Sequence, residues 1–242
     1  MPFKQSINKK DLIIYIFRGF AHGAGVILWF YAMSRIPIAE VTAISYTGPI
    51  YISIGAAIFF GEKLALRRII AIFIAFIGTL IILRPGFQEI STGQLAQIIS
   101  APLFAISYLL SKELTKKHNS LVIVCMLSVF VTLILAPPAI SVWVQPSLKE
   151  ILSLGIVAIL ATLGHITLTQ AIKSAPIIII QPISFLQLVW ATLIGYFIFS
   201  ETVDIYVIVG GLVIIVSVTY ISYREMKLNT VYKIPQNNLT KL

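Results

Sequence analysis

Apolar stretches of roughly 17 to 24 residues, each able to cross a bilayer core of about 30 Å, recur along this chain with short breaks. Inside a bilayer every backbone N–H and C=O must be paired within the protein, so segments of this length read as helices. Eight are predicted, at about 12–33, 37–60, 67–84, 94–111, 121–141, 151–172, 177–199 and 205–223. Pro49, Pro102 and Pro182 fall inside predicted helices, and Pro137 and Pro138 are expected to end or kink the fifth near its outer end. The fold class that follows is all-α and integral to a membrane, with about eight transmembrane helices. Composition excludes a water-soluble alternative. Only 11% of the 242 residues are charged and 58% are hydrophobic, whereas soluble domains carry about a quarter charged residues.

The net charge of +9 is unevenly placed. Lys4, Lys9, Lys10, Lys63, Arg67, Arg68, Lys112, Lys116, Lys117, Lys173, Arg224, Lys227, Lys233 and Lys241 fall on one predicted side. Arg35, Arg84 and Lys149 fall on the other, and Arg18 lies within the first span. Cationic loops stay in the cytoplasm, so both termini are expected there, in a cell inner membrane. The charge is then matched to anionic lipid and calls for no nucleic acid.

The region around Pro37 returns around Pro176, 139 residues later. At that shift Ala32 meets Ala171, Ile38 meets Ile177, Ile44 meets Ile183, Ser45 meets Ser184, Phe60 meets Phe199 and Glu62 meets Glu201. The turn from Gly61 to Arg68 is strongly cationic, while its copy from Ser200 to Ile205 has no cation. Equivalent turns of opposite charge mean that the repeats are inverted across the membrane. The second copy has two further helices, about 94–111 and 121–141, with no counterpart in the first. The expected organisation is an incomplete inverted repeat of three plus five helices. It comprises a cytoplasmic segment 1–11, a partial repeat 12–86, a second repeat 87–223 and a basic tail 224–242, expected to be loosely ordered. Duplicated, inverted helix sets in a membrane chain are a signature of solute carriers. The unmatched pair leaves open a homo-oligomer or a partner subunit, and also a shortened chain that transports only with a partner or not at all.

Several short stretches are specific as an ordered set. They are Arg18-Gly19-Phe20, Phe30-Tyr31-Ala32-Met33, Ile36-Pro37-Ile38-Ala39-Glu40, Tyr46-Thr47-Gly48-Pro49-Ile50, Phe60-Gly61-Glu62-Lys63 and Gly78 through Gly86. The second half repeats them more loosely, as Gln170-Ala171-Ile172 with Pro176, Phe199-Ser200-Glu201 and Gly210-Gly211-Leu212. Over residues 12–223 the chain resembles the EamA-domain branch of the drug/metabolite transporter superfamily. That resemblance implies ten helices in two inverted five-helix repeats, around a central cavity that alternates access for small solutes such as amino acids, S-adenosylmethionine or drugs. This chain departs from it in the first two helices.

Polar groups at membrane depth are the natural contacts for such a solute. His22 falls near the middle of the first span, with Arg18 one turn earlier on the same face. His165 maps by the repeat to within a turn of His22, so the two could face one cavity from opposite halves. Gln181, Ser184, Gln187 and Trp190 form a polar and aromatic stripe on the seventh helix, and Tyr46 and Tyr51 its counterpart on the second. Ser107, Tyr108 and Gln170 are weaker candidates. Glu62 and Glu201 are expected to meet the positive end of a helix, and Glu40 either to be solvated or to pair with a solute amine. No GxSxG, HExxH, phosphate loop or Cys/His cluster occurs, so neither enzymatic chemistry nor a metal or cofactor is expected. The single Cys125 excludes an intramolecular disulfide.

Overall fold

The computed structural model describes residues 7–60, 66–84, 89–174, 186–202 and 204–232. Its helices are α1 (Lys9–Met33), α2 (Ile38–Ser45), α3 (Gly48–Phe60), α4 (Leu66–Leu83), α5 (Thr92–Leu114), α6 (Ser120–Ser141), α7 (Leu148–Ser174), α8 (Leu186–Phe199) and α9 (Ile205–Tyr232), with no strand among the described residues. Five stretches are long and apolar enough to span a membrane: Lys9–Met33, Ile38–Phe59, Thr92–Leu114, Ser120–Ser141 and Leu148–Ser174. Ile69–Leu83, Trp190–Phe199 and Ile205–Ser217 are shorter apolar helices.

The break within 37–60 and the end of the last helix differ from the sequence expectation, and the prolines of α6 do not end it where they stand. The segment 37–60 is two helices rather than one. Pro49 has no N–H for the Ser45 carbonyl, and its ring would press on that carbonyl in a continuous helix. Instead Tyr46 and Thr47 donate back to Ala43 and Ile44 at 3.2 and 3.0 Å, closing α2, and α3 restarts with Ile50 donating to Thr47 at 2.9 Å. By contrast α6 runs through Pro137 and Pro138 to Ser141. The last helix continues to Tyr232, nine residues beyond its predicted end, because Arg224, Glu225, Met226, Lys227 and Leu228 are good helix formers.

α1 lies between α5 and α6, and α4 lies along α9. Small residues permit both approaches. Gly19, Gly23 and Gly25 of α1 bear directly on Phe130, Ile134 and Phe104. Gly78 and Gly210 cross backbone to backbone, each with the other's carbonyl under its Cα. Ala43, Ile44, Tyr46 and Ile50 pack with Ala75, Ile82, Leu83, Val207 and Ile214 to form the main core between α2, α4 and α9. The repeat counterpart of α1 is α7, and it is packed very differently. Residues 148–164 of α7 are exposed, and a side chain at Gly155 or Gly164 would meet nothing within 4 Å.

At the cation-poor end the loops of the two halves are tied together. Arg84 pairs with Asp204 at 2.5 Å and lies over the Tyr206 ring at 4.5 Å. Glu201 points both carboxylate oxygens at the Ile38 N–H, 3.2 and 3.1 Å away. It does meet a helix start, but that of α2 in the opposite half rather than of its own following helix. α9 is served by Asp204, which accepts from the Tyr206 N–H at 2.8 Å. Because Pro37 offers no side-chain cap to α2, Glu201→Ala is expected to cost about 1 kcal/mol of stability, the usual worth of a helix cap. Glu201→Gln, which keeps an acceptor, should cost less, and melting of the detergent-purified protein reads the difference. Glu62, the repeat partner of Glu201, lies outside the described residues.

Ser200 ends α8 at φ 54°, a left-handed conformation in which a Cβ is strained. The Glu201 N–H closes the turn on the Gly195 carbonyl at 2.9 Å. The equivalent residue in the first half is Gly61, the residue type suited to this role. Ser200→Gly should therefore raise thermal stability, and a lower melting temperature would contradict the strain.

At the opposite, cation-rich end, Asp11 is buried at the start of α1. It accepts from Lys117 at 2.9 Å and lies 3.2 Å from Nε2 of His118, fastening α1 to the α5–α6 turn.

Candidate functional site

The interior polar groups come mostly from one face of α5. Gln94, Gln97, Ser100, Ser107 and Ser111 recur at helical spacing and are all buried. Each polar atom here requires a partner, because a membrane interior supplies none. Near the middle of this face Ser107 meets His22 of α1, Oγ to Nδ1 at 3.2 Å. The His22 ring stands edge-on to Phe104 at 5.0 Å and to His165 of α7 at 5.3 Å. Two histidines far apart in the chain, on α1 and α7, thus share one locus. His22 is 6% exposed, and His165 is half-buried.

Arg18 lies one turn from His22 and is 3% exposed. Its Nη1 donates to the Ile123 carbonyl of α6 at 3.0 Å, while its Nε has no hydrogen-bond partner among the described residues. The guanidinium is therefore held inside the bundle and does not reach out to lipid headgroups. Lys112 of α5 donates to the Ile172 carbonyl of α7 at 2.6 Å, and Ser120 donates to Gln170 at 2.8 Å. A cationic guanidinium, two imidazoles and a hydroxyl at one depth can hold an anionic or hydrogen-bonding group of a solute.

The other sequence candidates lie elsewhere. Tyr46 is buried in the α2–α4–α9 core, away from the histidines. Tyr51 packs beside Ile52, Leu109, Ile172 and Tyr108. Gln187 is exposed, and Trp190 is 63% exposed on α8, so neither is packed into the bundle. Gln181 and Ser184 lie outside the described residues. Glu40 is neither simply solvated nor free, because it accepts from Gln94 at 2.6 Å. Sequence reasoning passed over Gln97, Ser100 and Ser45. Their signal was available as the three-and-four spacing of polar residues along 94–111.

A multi-pass all-helical chain whose polar side chains converge inside the bundle has the architecture that membrane transporters use. Comparison with known proteins gives the particular family. The sequence profile described as the EamA-like transporter family matches residues 2–84 and 91–223, and this chain belongs to that family. It is a transporter rather than an enzyme.

Among its relatives, an S-adenosylmethionine uptake transporter of Rickettsia bellii is 25% identical over 224 residues, covering 93% of this chain and 77% of that protein. A riboflavin transporter of Brucella anthropi is 28% identical over 222 residues, covering 88% and 77%. A pseudopaline exporter of Pseudomonas aeruginosa is 24% identical over 217 residues, covering 88% and 75%. A solved crystal structure shares the fold, with a TM-score of 0.59 at 15% identity over 90% of this chain and 88% of that one.

Proposed function

We propose that the chain carries a small organic solute of the S-adenosylmethionine or amino-acid type across the cell inner membrane by alternating access. Both termini lie in the cytoplasm, and His22, Arg18, His165 and Ser107 contact the solute. The contact between His22 and His165 carries this reading, since it joins the two inverted halves at mid-depth. An element that each half contributes to is one whose geometry changes as the halves rock. The cation bias of the loops supports the orientation.

Uptake of labelled S-adenosylmethionine and riboflavin into proteoliposomes tests the reading. Saturable uptake of at least one, above that of empty vesicles, is expected. Gln187→Ala should transport normally, given the exposed position of that side chain. If no labelled solute enters faster than into empty vesicles, the carrier reading fails.

The chain is organised as a first half of three spans, 12–86, the second of them broken into α2 and α3, and a second half of five spans, 87–223, followed by a basic tail, 224–242. The bare face of α7 favours a pair of helices packed there during transport, in the way that α5 and α6 hold α1. Cysteines placed at exposed Leu152 or Ile159 should crosslink to such a pair in native membranes. Monomer alone, together with active uptake, would show that lipid covers that face.

A further inference from the structure

Two to three turns along α5 from the histidine locus, two buried polar atoms have no partner among the described residues. Gln97 and Ser100 are both 0% exposed, and Oε1 of Gln97 and Oγ of Ser100 have no hydrogen-bond partner among the described residues. The orientation of the Gln97 amide follows from its neighbour. Ser45 gives its only hydroxyl hydrogen to the Val41 carbonyl at 2.8 Å, so it must accept from Gln97 Nε2, 2.7 Å away. That leaves the Gln97 oxygen as an acceptor with nothing to accept.

Several helical hydroxyls return to the carbonyl four residues back, as Thr42 does to Ile38, Thr79 to Ala75 and Ser128 to Val124. The Ser100 hydroxyl, like those of Ser111, Thr192 and Ser217, makes no such bond among the described residues. An unmet buried acceptor costs on the order of 1–3 kcal/mol, which a bound donor would recover.

The surroundings give the missing donor a sign. Ser45 is the last residue of α2, where the end of a helix is electronegative. Glu40 and Gln94 lie a turn further outward. Near Gln97, the Ser45 hydroxyl has its one hydrogen engaged and Glu40 presents a carboxylate. Arg18 lies beyond His22 in the other direction, so the polar face of α5 runs from negative to positive. Ser100 and Ser107 are seven residues apart, about 10 Å along a helix, within the span of a small metabolite.

We propose that Gln97 and Ser100, beside Ser45 at the end of α2, form a subsite for a hydrogen-bond-donating cation, the ammonium group of the transported solute. The proposal rests on the carrier reading above, and an ordered water molecule would satisfy the same atoms. The experiment separates these sources by two readouts on the full chain. Purified protein is melted in detergent with S-adenosylmethionine or with its des-amino analogue, and both compounds compete for labelled S-adenosylmethionine uptake in proteoliposomes.

The amine-bearing compound is expected to bind about tenfold better, since a site built to receive a donor rejects an analogue lacking it. Gln97→Leu should reduce that ratio to near one, and Gln97→Glu, which keeps the shape and adds a negative charge, should widen it. Equal stabilisation of the wild-type protein by both compounds would overturn the subsite and assign its atoms to water. So would a ratio unaffected by Gln97→Glu. Amine-dependent stabilisation without any uptake would instead retain the subsite and remove the carrier reading.

Discussion

Gly78→Leu is expected to abolish recovery of folded protein. A Cβ at Gly78 would lie 2.8 Å from the Gly210 carbonyl oxygen and 2.7 Å from Ile214 Cγ1. At Gly210 it would lie 2.5 Å from the Gly78 carbonyl oxygen and 2.6 Å from Ile82 Cγ1. Backbone on either side cannot rotate out of the way as a long side chain can. The helices would have to separate, and Ala75, Ile82, Val207 and Ile214 would lose their mutual contacts. Overpacking costs about 1–3 kcal/mol where side chains can adjust, and more where a backbone must move. Size-exclusion profiles of detergent extracts should show Gly78→Leu aggregated and Gly78→Ala intermediate. Gly164→Leu is the control, because nothing lies within 4 Å of its added atoms. A monodisperse Gly78→Leu protein would show that α4 and α9 do not cross at this point.

His22→Ala is expected to lower the uptake rate by about tenfold or more while the protein still folds, because its interactions are specific to the site. The imidazole is the shared neighbour of Ser107, Phe104 and His165. Removing it leaves a buried hydroxyl without its partner and separates the two inverted halves at mid-depth. His165→Ala should have a smaller effect, since that ring is less buried and Ser107 keeps His22. Uptake assayed beside a melting curve distinguishes this from misfolding. Unchanged kinetics in His22→Ala would remove the histidine locus as the site, even with transport established.

The candidate site was partly legible in the residues themselves. A histidine in an apolar span is costly unless it faces inward, and the 139-residue repeat placed His165 within a turn of its mate. The same reasoning named Trp190 and Gln187, whose side chains are exposed rather than packed in the bundle. Large aromatics and amides suit a cavity wall and an outer surface equally well, and only packing distinguishes them. Glu201 shows a different gap. A carboxylate beside a helix start is readable locally, but which helix it serves depends on how the inverted halves meet. The importance of Gln97 and Ser100 was hidden for a related reason. Buried polar residues on a helix face are ordinary until their partners are known, and these two have unmet atoms.

Sequence by itself determined that this chain is helical and membrane-spanning, because length and apolarity act through local physics and the bilayer. Tertiary structure alone decided where α2 stops and α3 begins and which of the small residues carry helix crossings. It also decided that one face of α1 packs between α5 and α6 while residues 148–164 of α7 are bare, and which polar groups share the interior. Those outcomes depend on contacts between residues far apart in the chain, such as His22 with Ser107 and Ile38 with Glu201. No window along the sequence contains both members of such a pair.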